Sequence, residues 1–412
     1  MKKQKNLQNR KRFLLFICAL VIGIIFLLPA ARAEMENDDA AAHSLPVVRL
    51  SAALLNMLTT KPGTILVKDA SGEVFESDIT IKYRGTYSAS FTLKRNYTLH
   101  LKTPDGAQRK AGLLGLREDD DYVLLGGYSD PSRLRILVGL DLFRDTCGPS
   151  AQGTLCEVYF GEYYKGVYTL AERPERKTAK VPKDGALYRV LAASVDQVDV
   201  LSGHAASAPE GESWYNIGKI YPAGDAGWQA MQALHAFLRT ADDAAFAAEI
   251  GAYLDLTAFA DYYLFVNLIG ATDNLQKNLF LAWDGERMYP MPWDLDAAFG
   301  RIYNAELSAA DAWYTSPLFD RLLKTEAFKQ LLSARYAQLR PHFLPEAVCA
   351  RFTEYADLLA ESGSLAREAE RFGTYTDITT QKSHALNVYG EIELIRGFMQ
   401  QRIALLDAAF LQ

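Results

Sequence analysis

Four oxygen-bearing side chains crowd one stretch of the chain: Asp273, Asn278, Asp294 and Asp296, in GATDNLQKNLFLAWDGERMYPMPWDLDAAFG, residues 270–300. Hard divalent cations such as Mg²⁺ or Mn²⁺ take oxygen ligands. They are often held by one or two carboxylates, with phosphate oxygens completing the shell. The residues between read as two short strands, LFLAW and RMYPM, joined by an Asp284-Gly285 turn. A hairpin of that size carries Asp294 and Asp296 back beside the loop that holds Asp273 and Asn278, so the four side chains converge at one end of a ribbon. The plainer alternative is that Asp294 and Asp296 cap a following helix.

Other elements must hold that ribbon in place. DLTAFADYYLFVNLIG, just before it, has helical periodicity, and Gly270 stops the helix. Upstream the chain is rich in strands. TILVKDASGEVFESDITIKYRG reads as strand, turn at Asp69 to Gly72, and strand ending at Arg84-Gly85. KRNYTLHLK alternates, with Tyr97, Leu99 and Leu101 on one face and Lys94 near its start. CEVYFGEYYKGVYTLAERPE reads as a hairpin whose second strand ends at Glu172. In SDPSRLRILVGLDLFRDT, Ser129 or Asp130 is the expected helix cap and Pro131 the first helical residue. From about Ser316 onward nearly everything reads as helix, and residues 184–227 read as a loop between the lobes. The expected architecture is α+β in two lobes: a β-rich N-lobe over 46–180 and a mostly helical C-lobe over 181–412.

With 412 residues, 49% hydrophobic and 23% charged, the chain can build a large two-lobed core and is neither disordered nor fibrous. Its formal charge of −6 excludes a general nucleic-acid binder. A basic start (Lys2, Lys3, Lys5, Arg10, Lys11, Arg12) and an apolar run over residues 13–28 form an export signal within 1–33, ending at Ala31-Arg32-Ala33. If uncleaved, the run becomes a membrane anchor. The expected location is therefore secreted, or on the cell surface behind an anchor, with an acidic linker over 34–45. Cys147 and Cys156 flank a Gly148-Pro149 turn and either pair in an oxidising compartment or remain thiols.

The order aspartate, asparagine five residues on, hairpin and further aspartate is the layout of a protein-kinase catalytic segment, in which the first aspartate orients the attacking hydroxyl and the later residues hold metal. No His-Arg precedes Asp273, no Asp-Phe-Gly follows, and no glycine-rich G-x-G-x-x-G opens the first half. Gly-x-Ser-x-Gly, His-Glu-x-x-His and Gly-Lys-Ser/Thr signatures are also missing from the sequence.

Six segments in order resemble the spore-coat protein H (CotH) kinase family, a group of atypical, secretory-type protein kinases. They are IKYRGTYSASFTLKRNYTLHLK, DPSRLR, VYFGEYYKGVYTLAERPE, ATDNLQKNLFLAW with PWDLDAAFG, SPLFDRLLKTEAFKQLLSARYAQL and EIELIRGFMQQRIALLD, and the resemblance spans about Ile65 to Gln412. It implies an atypical kinase-like fold using ATP with Mg²⁺ or Mn²⁺ on protein Ser or Thr hydroxyls. Asp273 would be the catalytic aspartate; Asn278, Asp294 and Asp296 would be metal ligands, the principal one of the last two left open. Lys94, with Lys102 as its rival, would neutralise phosphate oxygens. Arg84, Gly85 and Ser88 would form a phosphate-approaching loop, Glu172 would touch the adenosine end, and Arg135 would pair with an active-site carboxylate. The alternative class is a degenerate kinase fold serving as an envelope binding protein or scaffold. A small-molecule phosphotransferase would use the same residues.

Overall fold

A computed structural model of the chain describes residues 45–411, apart from 54, 57, 86–91 and 192–198. The leader at 1–33, nearly all of the 34–45 linker, and Ser88 lie outside the described residues. Among the described residues no helix is long and apolar enough to cross a membrane.

Alternating strands of the first half close on themselves. β1 (Val47–Ala52), β2 (Lys61–Lys68), β3 (Val74–Arg84), β4 (Asn96–Lys102), β5 (Asp121–Leu125), β6 (Gly153–Phe160) and β7 (Tyr163–Glu172) form a barrel in the order β1-β2-β3-β4-β5-β7-β6. Parallel pairing of β1 with β6 shuts it. Tyr97, Leu99 and Leu101 of β4 point into the core with Ile79, Ile81, Val48 and Leu170, as the alternation requires. The β2–β3 turn is held by the Asp69 carboxylate, which accepts from the Ser71 and Glu73 amides at 2.9 Å each.

The first helix, α1 (Arg135–Thr146), starts later than Pro131, and neither Ser129 nor Asp130 is its cap: the cap position is Leu134, which makes no side-chain bond. The reason is electrostatic. The Asp130 carboxylate is taken by the Arg135 guanidinium and by the amides of Ser132 and Arg135, and Arg133 sits in left-handed backbone at φ 65°, so residues 130–134 coil before the helix begins.

The second half is not purely helical. The 184–227 segment, expected as a loop, supplies β8 (Ala186–Val190), β9 (Ser213–Trp214) and β10 (Ile217–Tyr221), which join β11 (Leu279–Trp283) and β12 (Met288–Pro292) in one sheet ordered β12-β11-β8-β10-β9. β8 contributes only a short apolar run interrupted by Arg189, too brief for periodicity to separate strand from loop. The helices are α2 (Gln229–Thr240), α3 (Asp243–Glu249), α4 (Leu256–Ile269), α5 (Pro317–Leu322), α6 (Glu326–Leu339), α7 (Pro345–Glu361), α8 (Ser364–Phe372) and α9 (Val388–Phe410). A small hairpin, β13 (Thr374–Thr376) with β14 (Ser383–Ala385), interrupts the C-terminal helices. Cys147 and Cys156 are both free thiols, Cys156 lying in the barrel core.

α4 is capped as the sequence suggests. Asp255 accepts from the Ala258 amide, and Gly270 ends the helix in the left-handed region at φ 62°. A Cβ at Gly270 would also meet Cζ of Phe398 at 2.5 Å. Gly270→Val should therefore lower thermal stability by roughly 1–3 kcal/mol, from backbone strain and overpacking together, read as a lower melting temperature of the purified chain.

Candidate active site

Three strands and a loop converge on a cavity of about 570 Å³. Its lining includes Arg84 and Gly85 at the end of β3, Lys94 and Asn96 at the start of β4, Arg189 on β8, and Asp273, Lys277, Asn278, Trp293, Asp294 and Asp296. The four residues picked out by spacing thus share one cavity with Lys94.

The ribbon forms as expected. Leu279 pairs with Pro292 at the open end of the β11–β12 hairpin, and just beyond it the Trp293 amide donates to the Asn278 carbonyl at 2.9 Å. Asn274, fully buried, donates from Nδ2 to the carbonyls of Asn278 and Trp293 at 3.2 and 2.8 Å, tying the two loops together. Asn278 and Asp294 both adopt left-handed backbone, at φ 54° and 59°. Such strain costs on the order of 1–3 kcal/mol where it is not relieved, and it gathers at ligand clamps.

Asp294 and Asp296 are half-buried: each shows an edge to the cavity but is otherwise sunk beneath protein. Burial pushes the Asp296 carboxyl well above the usual carboxylate range, and the charges of Asp294, Asp273 and Asp130 push it further. Burial also raises Asp294, while Arg84 and Arg189 pull against the rise. Asn278, Asp294 and Asp296 offer only oxygen donors, as a hard divalent cation requires, and are the residues that would hold it; the carboxylate oxygens of Asp273, Asp294 and Asp296 do not all lie within 4.8 Å of one another. Asp273 pairs with Lys277 at 2.8 Å, four residues along the loop.

Across the cavity, Lys94 is 1% exposed and is not the solvated strand-edge lysine that its position also allowed. Its Nζ meets the Glu368 carboxylate at 2.7 Å and the Val167 carbonyl at 2.5 Å. Glu368, on α8, also accepts from Nε of Arg133 at 2.7 Å and from the Val167 amide at 2.8 Å. Burial draws Lys94 down to about 8 against the pull of Glu368, so it remains a cation at neutral pH. Burial alone would raise Glu368, but Lys94 and Arg133 outweigh it and hold the carboxyl below its usual range. Two cations share one carboxylate, leaving net positive charge on this wall. Gly166, at φ 107°, makes room for the pair: a Cβ there would lie 2.5 Å from Glu368 and 2.8 Å from the Lys94 chain.

A family model described as CotH kinase protein matches residues 81–406. The chain belongs to the CotH kinase family. No curated protein matches the sequence. Among solved structures, one of the HipA–HipB toxin–antitoxin system of Shewanella oneidensis MR-1 with its operator DNA is similar, at 14% identity and a TM-score of 0.32, over 79% of this chain and 66% of that one. The chain therefore spans slightly under two thirds of that neighbour's length.

In this CotH kinase chain, the residues assigned by resemblance fall into two groups. Asp273, Asn278, Asp294, Asp296, Lys94, Arg84 and Gly85 line the cavity. Glu172 does not: it is buried at the end of β7, 3.5 Å from Arg117 in an ion cluster with Asp119 and Glu175. Arg135 lies behind the site, joining Asp130 to Glu391 and donating to the carbonyls of Ala298 and Phe299, so it braces the loop after Asp294 and Asp296 from outside the cavity. Lys102 sits at the far end of β4, opposite Asp78, and is not among the lining residues. Sequence reading missed Glu368, Arg133 and Arg189. Lys277 was within reach, since it stands four residues from Asp273 in the motif itself. Glu368 carries no local signal, lying 274 residues from its partner.

Asp296→Asn removes one of the mutually repelling carboxylates. The metal-free variant should melt higher than wild type, by roughly 1 kcal/mol of added stability. Mn²⁺ should stabilise the wild type but no longer the variant, as read by thermal denaturation with and without the cation.

Proposed function

We propose that the chain is an ATP-dependent protein kinase that transfers the γ-phosphoryl group to Ser or Thr hydroxyls, uses Mg²⁺ or Mn²⁺, and works after export, either secreted or held at the surface by residues 13–28. The observation that carries the reading is the meeting of Asp273, Asn278, Asp294 and Asp296 with Lys94 across one cavity. The export part rests on the basic and apolar leader in the sequence.

In this reading Asp273 takes the proton of the acceptor hydroxyl as its oxygen bonds to the γ-phosphorus and the bond to the β-phosphate oxygen breaks, releasing ADP. Lys277, 2.8 Å from Asp273, holds that carboxylate toward the cavity and adds positive charge beside it. Lys94, fixed by Glu368, faces the α- and β-phosphate oxygens, as a strand lysine paired with a helix glutamate does in phosphoryl transfer. Asn278, Asp294 and Asp296 hold the divalent cation, which when bound supplies positive charge to the phosphate oxygens. Most of the rate enhancement then comes from positioning and charge neutralisation, with no covalent intermediate on the protein.

The full chain with ATP and Mn²⁺ or Mg²⁺ should label itself or a generic acceptor protein with γ-phosphate. Asp273→Ala should cut transfer by about 10²–10⁴-fold while keeping the nucleotide-dependent rise in melting temperature. A wild-type chain that neither transfers phosphate nor shifts with nucleotide under either cation would contradict the proposal.

A further inference from the structure

One cavity-lining cation has no part in the roles above. Arg189 sits on β8, the central strand of the second sheet, paired in register with Gly218 of β10 and Phe280 of β11. Strand pairing on both sides fixes its backbone more firmly than a loop would. Its Nε is buried without a hydrogen-bond partner, although the residue lines the cavity. Burial lowers its pKa, Asp294 opposes the fall, and Arg173 adds to it.

Arg84 arrives at the same place from the barrel. It lies over the Trp293 ring at 5.3 Å, and burial draws it down to about 10, with Asp294 opposing and Arg189 and Arg173 contributing. Arg173 is occupied by Asp121 at 3.0 Å. Asp294 therefore serves Arg84, Arg189 and Lys277 together, and it is also a residue that a divalent cation would claim. Once that carboxylate is committed to a cation, both guanidiniums lose part of its compensating charge in a water-poor cavity. A buried guanidinium with an unmade bond, as at Nε of Arg189, weakens a fold unless a ligand completes it. Planar guanidinium forks match phosphate oxygens, two at a time.

We infer that Arg189 and Arg84 form a two-guanidinium clamp for the terminal phosphates of the nucleotide, with Arg189 its sheet-anchored half. The inference rests on the phosphoryl-transfer reading in taking the anion to be a nucleotide polyphosphate. The terminal end is assigned because both arginines neighbour the metal ligand Asp294, whereas the Lys94 ammonium is held by Glu368 of α8.

Isothermal titration of the full chain in Mn²⁺ with ATP, ADP, AMP and inorganic tripolyphosphate tests this. Arg189→Ala should weaken ATP and tripolyphosphate by about tenfold or more, and AMP by less than about twofold, with Arg189→Lys recovering part of the loss. Unchanged ATP and tripolyphosphate affinities in Arg189→Ala would overturn the clamp. A raised KM for an acidic protein acceptor alongside those unchanged affinities would also overturn it, placing Arg189 on the acceptor side. A wild-type chain that takes tripolyphosphate but not ATP, with binding lost in Arg189→Ala, would keep the clamp and sink the kinase reading. A wild-type chain that takes neither would overturn both.

Discussion

Three carboxylates, Asp273, Asp294 and Asp296, line one cavity, and the charges of Asp294 and Asp273 add to burial in raising the cost of charging Asp296. A fold does not place like charges together without something to compensate them, because in a medium of reduced dielectric the repulsion is worth several times its value in water. The molecule supplies part of the answer in Arg84, Arg189 and Lys277 around Asp294. For Asp296 the charges of Asp294 and Asp273 add to burial in raising the carboxyl. In the kinase reading proposed above, a hard cation would neutralise the carboxylates and the phosphate oxygens that accompany it would neutralise the arginines.

The rest of the structure holds the two walls of that cavity at the right separation. The ribbon is tied to the second sheet through β8 and braced from below by Arg135, which binds the carbonyls of Ala298 and Phe299 while bridging Asp130 and Glu391. The opposite wall depends on α8, which returns from the C-terminal helices to the barrel. There Glu368 meets Lys94, and Arg367 meets Glu157 of β6 at 2.8 Å. Parts of the chain far apart in sequence thus meet at the candidate site, since the lysine and the carboxylate that holds it lie 274 residues apart.

What the sequence disclosed follows from the range of the interactions. Asp273, Asn278, the hairpin, Asp294 and Asp296 were legible because their chemistry is written within about thirty residues and a two-stranded ribbon has few ways to fold. β4 showed its inward face by alternation, and α4 its end by Gly270. Glu368 was invisible because nothing near it on α8 marks it as different from a surface glutamate. Arg189 was hidden in a strand too short to show a period. The start of α1 was misplaced because Asp130 binds the guanidinium of Arg135 as well as its amide, and left-handed backbone at Arg133 delays the helix, choices that no capping rule contains. Glu172 sits where a strand end was expected, but its partner is Arg117 on the barrel rather than anything in the cavity. The family match begins at residue 81, sixteen residues after the point where the resemblance starts, and ends at 406.

In the kinase reading proposed above, this carboxylate cluster is a divalent-cation site completed by nucleotide phosphates. Electron paramagnetic resonance of free Mn²⁺ in the presence of the full chain addresses it without relying on turnover. The free-ion signal should fall when the chain is added, fall further when ATP follows, and recover in Asp294→Asn and Asp296→Asn. A free-ion signal that the chain leaves unchanged, beyond what ATP alone removes, would contradict it.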